Sequence, residues 1–169
     1  AIWISADYVT LDLRGYEIDG RAAGLATTAY GIAVDQRRSV TVKNGTVRGF
    51  LYGVLFYGGA TNMNNTAEDL QVLDNTFRGI YVGWGSSNVV RRVRVDNTGG
   101  TVLGYGGTGI YLESSNSIVS DGIVTRALPG SGPGTCFVLG PGVLYRDNVA
   151  SACGVSYSGG TPVGTTNHP

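Results

Sequence analysis

The chain predicts an all-β, single-domain parallel β-helix, a solenoid of about seven coils. Three observations carry this reading: a Gly-apolar-x-apolar phrase returns along the chain, apolar residues alternate with period two in and after each phrase, and no stretch shows helical periodicity. The phrases are AIWI at Ala1, GIAV at Gly31, GVLF at Gly53, GIYV at Gly79, GIYL at Gly109, TCFV at Thr135 and GVSY at Gly154. Their starts lie 30, 22, 26, 30, 26 and 19 residues apart, which puts loops of variable length on a constant core.

Most phrases are followed by a second short strand: YVTLDL, SVTVKN, DLQVLDN, NVVRRVRVDN, NSIVSDGIV and VLYRDNV. Strands that return every 19 to 30 residues without helices between them bury like faces together only when stacked in register. Each coil then lies about 4.8 Å above the last and touches mainly its neighbours.

Such stacking predicts two inward columns: Ile2, Ile32, Val54, Ile80, Ile110, Cys136, Val155, and Ile4, Val34, Phe56, Val82, Leu112, Val138, Tyr157. Loops are expected at residues 21–30, 58–68, 99–108 and 127–134, which are rich in Gly, Thr, Asn and Pro. Asn44, Asn75, Asn97 and Asn148 close or follow second strands, and a ladder of their amides at a bend is expected, since asparagine tolerates left-handed backbone. The β-helix is expected over 1–158, with 159–169 a flexible tail or linker.

Composition narrows the function classes. Twelve basic and twelve acidic residues give zero formal net charge, so no long-range attraction points to nucleic acid or anionic lipid. No apolar run reaches the roughly 18 residues of a membrane-spanning helix, so no membrane insertion is expected. Ala1 in first place fits signal removal, other upstream processing or a chosen boundary, and the expected setting is secreted or cell-surface, the periplasm included. Cys136 and Cys153 match no metal spacing and read as two small buried apolar residues, with pairing left open.

The run VTLDLRGYEIDG, Val9 to Gly20, followed by VTVKNGTVRGF, Val40 to Phe50, resembles the right-handed parallel β-helix repeats of the pectin-lyase-like superfamily. The resemblance covers nearly the whole chain and implies a right-handed coil. Its members include polysaccharide lyases, glycoside hydrolases, epimerases, phage tailspikes and non-catalytic surface proteins, so it fixes no activity. The Gly-His-Gly and Asp-Pro-His patterns of its hydrolases and epimerases are absent, and His168, the single histidine, stands next to the last residue.

A pectate-lyase-like site needs carboxylates on calcium and a base. Its candidates here are Asp35 and Glu113, with Lys43 as a basic group. In the predicted register Asp35 and Glu113 stand three turns apart, roughly 14 Å at the stacking distance, too far to share one ion. On the second strands Asp12 and Lys43, then Arg92, Asp121 and Arg146, form an expected charge ladder that reads as solvated surface. Sequons stand at Asn44 and Asn64.

The outward column between the inward ones is the strongest candidate surface: Trp3, Ala33, Leu55, Tyr81, Tyr111, Phe137 and Ser156, with Tyr57 and Trp84 nearby. Contiguous exposed aromatic residues exceed a scattered background. The candidate contact set is therefore Trp3, Leu55, Tyr57, Tyr81, Trp84, Tyr111 and Phe137. The expected role is a structural or glycan-contacting module without a metal or cofactor, meeting polysaccharide or other copies of itself through this stripe or the ends of the solenoid. The alternative is a small polysaccharide lyase or uronan epimerase acting on acidic polysaccharide, the one case in which calcium is expected.

Overall fold

The computed structural model describes residues 2–164 and 168. Parallel strands wind around one interior as three faces of a single 16-stranded sheet. The first face stacks β1 (Ile2–Ile4), β4 (Tyr30–Asp35), β6 (Tyr52–Tyr57), β8 (Arg78–Ser86), β11 (Thr108–Ser115), the start of β14 (Thr135–Arg146) and β16 (Val155–Pro162). The second stacks β2 (Thr10–Asp12), the first halves of β5 (Thr41–Arg48) and β7 (Thr66–Leu73), then β9 (Val89–Arg91), β12 (Ser117–Ser120) and the end of β14. The third stacks β3 (Glu17–Asp19), the second halves of β5 and β7, then β10 (Arg94–Thr98), β13 (Ile123–Ala127) and β15 (Val149–Ser151). The seven strands of the first face bound about six full turns.

Left-handed residues turn the chain from face to face. Between the second and third faces the corner residue in successive coils is Arg14, Asn44, Asp69, Arg92, Asp121 and Asp147, all with φ between 49° and 59°. A matching column between the third and first faces holds Asp74, Asn97, Arg126 and Ala152, with φ between 51° and 55°. Among residues other than glycine, asparagine and aspartate adopt this backbone at least cost, and most of these positions hold one of them.

The inward columns hold for the first five coils. Ile2, Ile32, Val54, Ile80 and Ile110 lie in one rung series, and Ile4, Val34, Phe56, Val82 and Leu112 in the next. Beyond them the register is one residue later than expected in β14 and two residues later in β16. Ile110 pairs with Phe137 and Leu112 with Leu139, while Tyr157 pairs with Phe137. Phe137 is therefore fully buried, stacked on Tyr157 at 4.8 Å, and is no surface contact; Val138 takes the outward place.

The cause of this shift is a substitution in a tight column. Gly31, Gly53, Gly79 and Gly109 each face a valine of the third face: a Cβ there would stand 2.1 to 2.6 Å from Val47, Val72, Val95 or Val124. Cys136 occupies the next place in that glycine column, where the opposing position has shrunk from Val124 to Ala150. The freed space takes a disulfide from Cys136 to Cys153, with Cα atoms 5.7 Å apart. The cysteines are thus a crosslink between walls of the last coil, where the sequence had suggested two small apolar residues.

The expected asparagine bonds between coils are present. Asn44 and Asn97 stand at left-handed corners and their amides donate to Asp12 and Asp74 of the preceding coil, while Asn75 and Asn148 are buried and accept from the backbone N–H groups of Phe50 and Gly122. A different buried ladder climbs the interior. Asn65 accepts from Val40 N–H, Asn88 from Asn65 N–H and Ser117 from Asn88 N–H, each at 2.9 Å. At the far end β16 runs past Ser158 to Pro162, and His168 forms a parallel bridge with Val149. The rest of the expected tail lies partly outside the described residues.

Candidate functional site

The outer side of the first face carries the candidate site. Strand alternation turns Trp3, Ala33, Leu55, Tyr81 and Tyr111 outward on successive coils. Beside them runs a second outward column of Tyr30, Tyr52, Arg78 and Thr108, each set immediately before the glycine of its phrase. These two columns interlock through their rings. Tyr30 meets Tyr52 at 5.3 Å, Tyr52 meets Tyr81 at 5.7 Å, and Tyr81 meets Tyr111 at 5.3 Å.

Side branches widen the surface. Tyr57 contacts Tyr81 at 6.4 Å and Trp84 at 5.5 Å, and Phe77 joins Tyr52 at 5.6 Å and Tyr105 at 5.5 Å. Trp3 and Trp84 are 60% and 53% exposed, so the assembly is open to solvent at its margins. A groove between the rings is lined by Trp3, Tyr30, Tyr52, Tyr57 and Tyr81, with Leu55 and Ala33 on its floor and Asp35 at its rim.

Gly83 keeps this arrangement open. A Cβ at Gly83 would stand 2.5 Å from the Tyr81 hydroxyl, so the bare backbone lets Tyr81 lie across the neighbouring column. Burial raises the Tyr81 and Tyr52 phenols above the ordinary tyrosine value, with Arg78 opposing the shift in both. Both phenols stay protonated at neutral pH and offer hydroxyl donors at the groove.

The structure separates the candidate catalytic residues. Asp35 pairs in register with Tyr57, and Glu113 with Gly83, so the two carboxylates stand on the same column three rungs apart. Lys43 is on another face, in register with Asp12 and Glu68. The charge ladder there continues to Arg91, which pairs with Glu68 at 2.6 Å, whereas Arg92 and Asp121 occupy the corner and Arg92 binds Asp69 at 2.8 Å. Among the described residues no three His, Cys, Asp or Glu side chains are grouped to hold a metal ion.

The description of a right-handed β-helix region matches residues 14–167. The chain belongs to the right-handed β-helix family. Searches among curated proteins and among solved structures each returned no match. Membership in the right-handed β-helix family agrees with the three-faced parallel solenoid and with the resemblance carried by the Val9–Gly20 and Val40–Phe50 runs. No helix of this β-helix protein is long and apolar enough to cross a membrane.

Sequence reading missed Tyr30, Tyr52, Phe77, Arg78 and Tyr105 as members of this face. A signal for three of them was present: Tyr30, Tyr52 and Arg78 each precede a phrase glycine, at the same offset in successive coils. Tyr105 lies in an insertion loop, where no periodicity announces its position.

Proposed function

We propose that this β-helix is a glycan-contacting module whose binding surface is the aromatic first face. The observation that carries the reading is the continuous contact of Tyr30, Tyr52, Phe77, Tyr81, Tyr57, Trp84, Tyr105 and Tyr111. Ring faces suit the apolar C–H faces of sugars, and polar groups set among them suit hydroxyls. Asp35, Glu113 and the tyrosine hydroxyls supply those groups. Protein interface cores are depleted of aspartate and glutamate, while this surface carries Asp35 and Glu113 beside its rings, which favours a sugar over a second copy of the chain.

The disulfide supports an exported setting, since such bonds persist chiefly in oxidising compartments. Affinity electrophoresis through gels containing neutral or acidic polysaccharides tests the reading, with light scattering on the same samples. Retardation by at least one glycan, lost in Tyr81→Ala and Tyr111→Ala while both variants remain folded, is the expected result. No retardation by any glycan, with scattering that grows with protein concentration, would instead assign the face to self-association.

A further inference from the structure

We propose that Arg78 anchors an anionic group, a carboxylate or a sulfate, on the glycan held by the aromatic face; this inference rests on the glycan reading above. Eight arginines of the solenoid are ion-paired with aspartate or glutamate. Arg78 makes no such pair and its side chain no hydrogen bond among the described residues, and its Nε is buried without a partner. Its surroundings are rings. The guanidinium carbon stands 4.1 Å from the ring centre of Tyr111, 4.6 Å from Tyr81, 4.8 Å from Phe77 and 5.9 Å from Tyr52.

Those rings hold the cation through their π-faces, but ring faces do not replace the in-plane acceptors that a guanidinium fork requires. Carboxylate and sulfate oxygens match that fork, and a partly dehydrated site strengthens the bond. The layout of charge adds a direction. Arg78 stands in the Tyr52 and Thr108 column, whereas Asp35 and Glu113 stand in a column on the other side of Tyr81. A ligand lying on the rings therefore meets a cation along one edge and carboxylates along the other, which places its anionic substituents on the Arg78 side.

The test uses matched ligands, titrated by calorimetry into the intact chain: an oligouronate and its carboxyl-reduced counterpart, and a sulfated oligosaccharide and its desulfated counterpart. One acidic member is expected to bind about tenfold or more tightly than its neutral partner, and the pair that shows the difference identifies the anion. Arg78→Gln should erase that difference, and rising salt should narrow it in the unaltered protein. Circular dichroism verifies folding, and should Arg78→Gln fail to fold, the salt series and Arg78→Lys, expected to lose several-fold in acidic affinity, carry the test. Equal binding within both pairs, or a preference that both substitutions leave unchanged whatever its response to salt, overturns the anchor while leaving the glycan reading intact. Failure of every member to bind overturns the glycan reading and the anchor together.

Discussion

Gly109 shows how closely the two walls of the solenoid meet. Its missing Cβ would lie 2.1 Å from Val124 Cγ1 and 2.8 Å from the Cys136 carbonyl oxygen. Gly109→Ala should therefore cost about 1–3 kcal/mol, measured by denaturant unfolding, and Val124→Ala in the same chain should recover only part of it because the carbonyl contact remains. Ile80, fully buried one coil earlier, sets the other limit. Ile80→Asp places an unpaired charge in that interior and should abolish cooperative unfolding. Native-like stability in that variant would disprove the register.

A polar residue of the third face gives a pH signature. Arg126 holds the Asp96 carboxyl at about 2, well below the ordinary aspartate value, and Asp96 is buried. Since the folded value is depressed, its stabilisation is complete above the unfolded value near 4 and is lost as pH falls toward 2. Asp96→Asn should flatten the acid limb of an unfolding-temperature profile between those values. An unchanged limb would show that the Arg126 contact does not stabilise the fold.

At the scale of elements, the sequence made the first five coils legible because each places two inward apolar residues around one outward residue, after a glycine in all but the first, where Ala1 stands. The last two coils broke that rule. Cys136 stands where glycine had stood, so alignment on Thr135 displaced Phe137 from the core to the surface. The pairing of Thr108 with Thr135, TGIYL against TCFVL, carried the correct register. The buried Asn65, Asn88 and Ser117 ladder was illegible for a different reason: side-chain bonds between coils 23 and 29 residues apart leave no local pattern.

The same crosslink makes a prediction for an element. Cys136 and Cys153 close a loop with a sequence separation of 17, so Cys136→Ala with Cys153→Ala should lower stability by about 3 kcal/mol. Hydrogen exchange should rise first in β15 and β16, whose contacts the disulfide ties together. Uniform loss of protection along the solenoid would mean that the last coil does not unfold as its own unit.

At the scale of the whole molecule, the candidate site is a property of stacking and of no single strand. Tyr52, Tyr81 and Tyr111 are 29 and 30 residues apart in sequence, yet their rings touch because coils repeat at the strand spacing. Sequence columns place Trp3, Tyr57, Tyr81, Trp84 and Tyr111 on this face, while Arg78 at their centre stands in the neighbouring column of Tyr52 and Thr108. Asp35 and Glu113 remain too widely separated in register to work as one pair, which directs attention to binding at the rings.

Trp84 and Trp3, both on this face, allow the central claim to be measured without a label. Tryptophan emission should be titrated with neutral and acidic oligosaccharides in the unaltered chain and in Trp84→Phe and Tyr111→Ala. If the aromatic face binds glycan, emission changes saturably with at least one glycan, less so in Trp84→Phe and with about tenfold or more weaker affinity in Tyr111→Ala, whose fold is retained. Emission insensitive to every glycan, or a saturable response that Tyr111→Ala leaves unchanged, would contradict that claim.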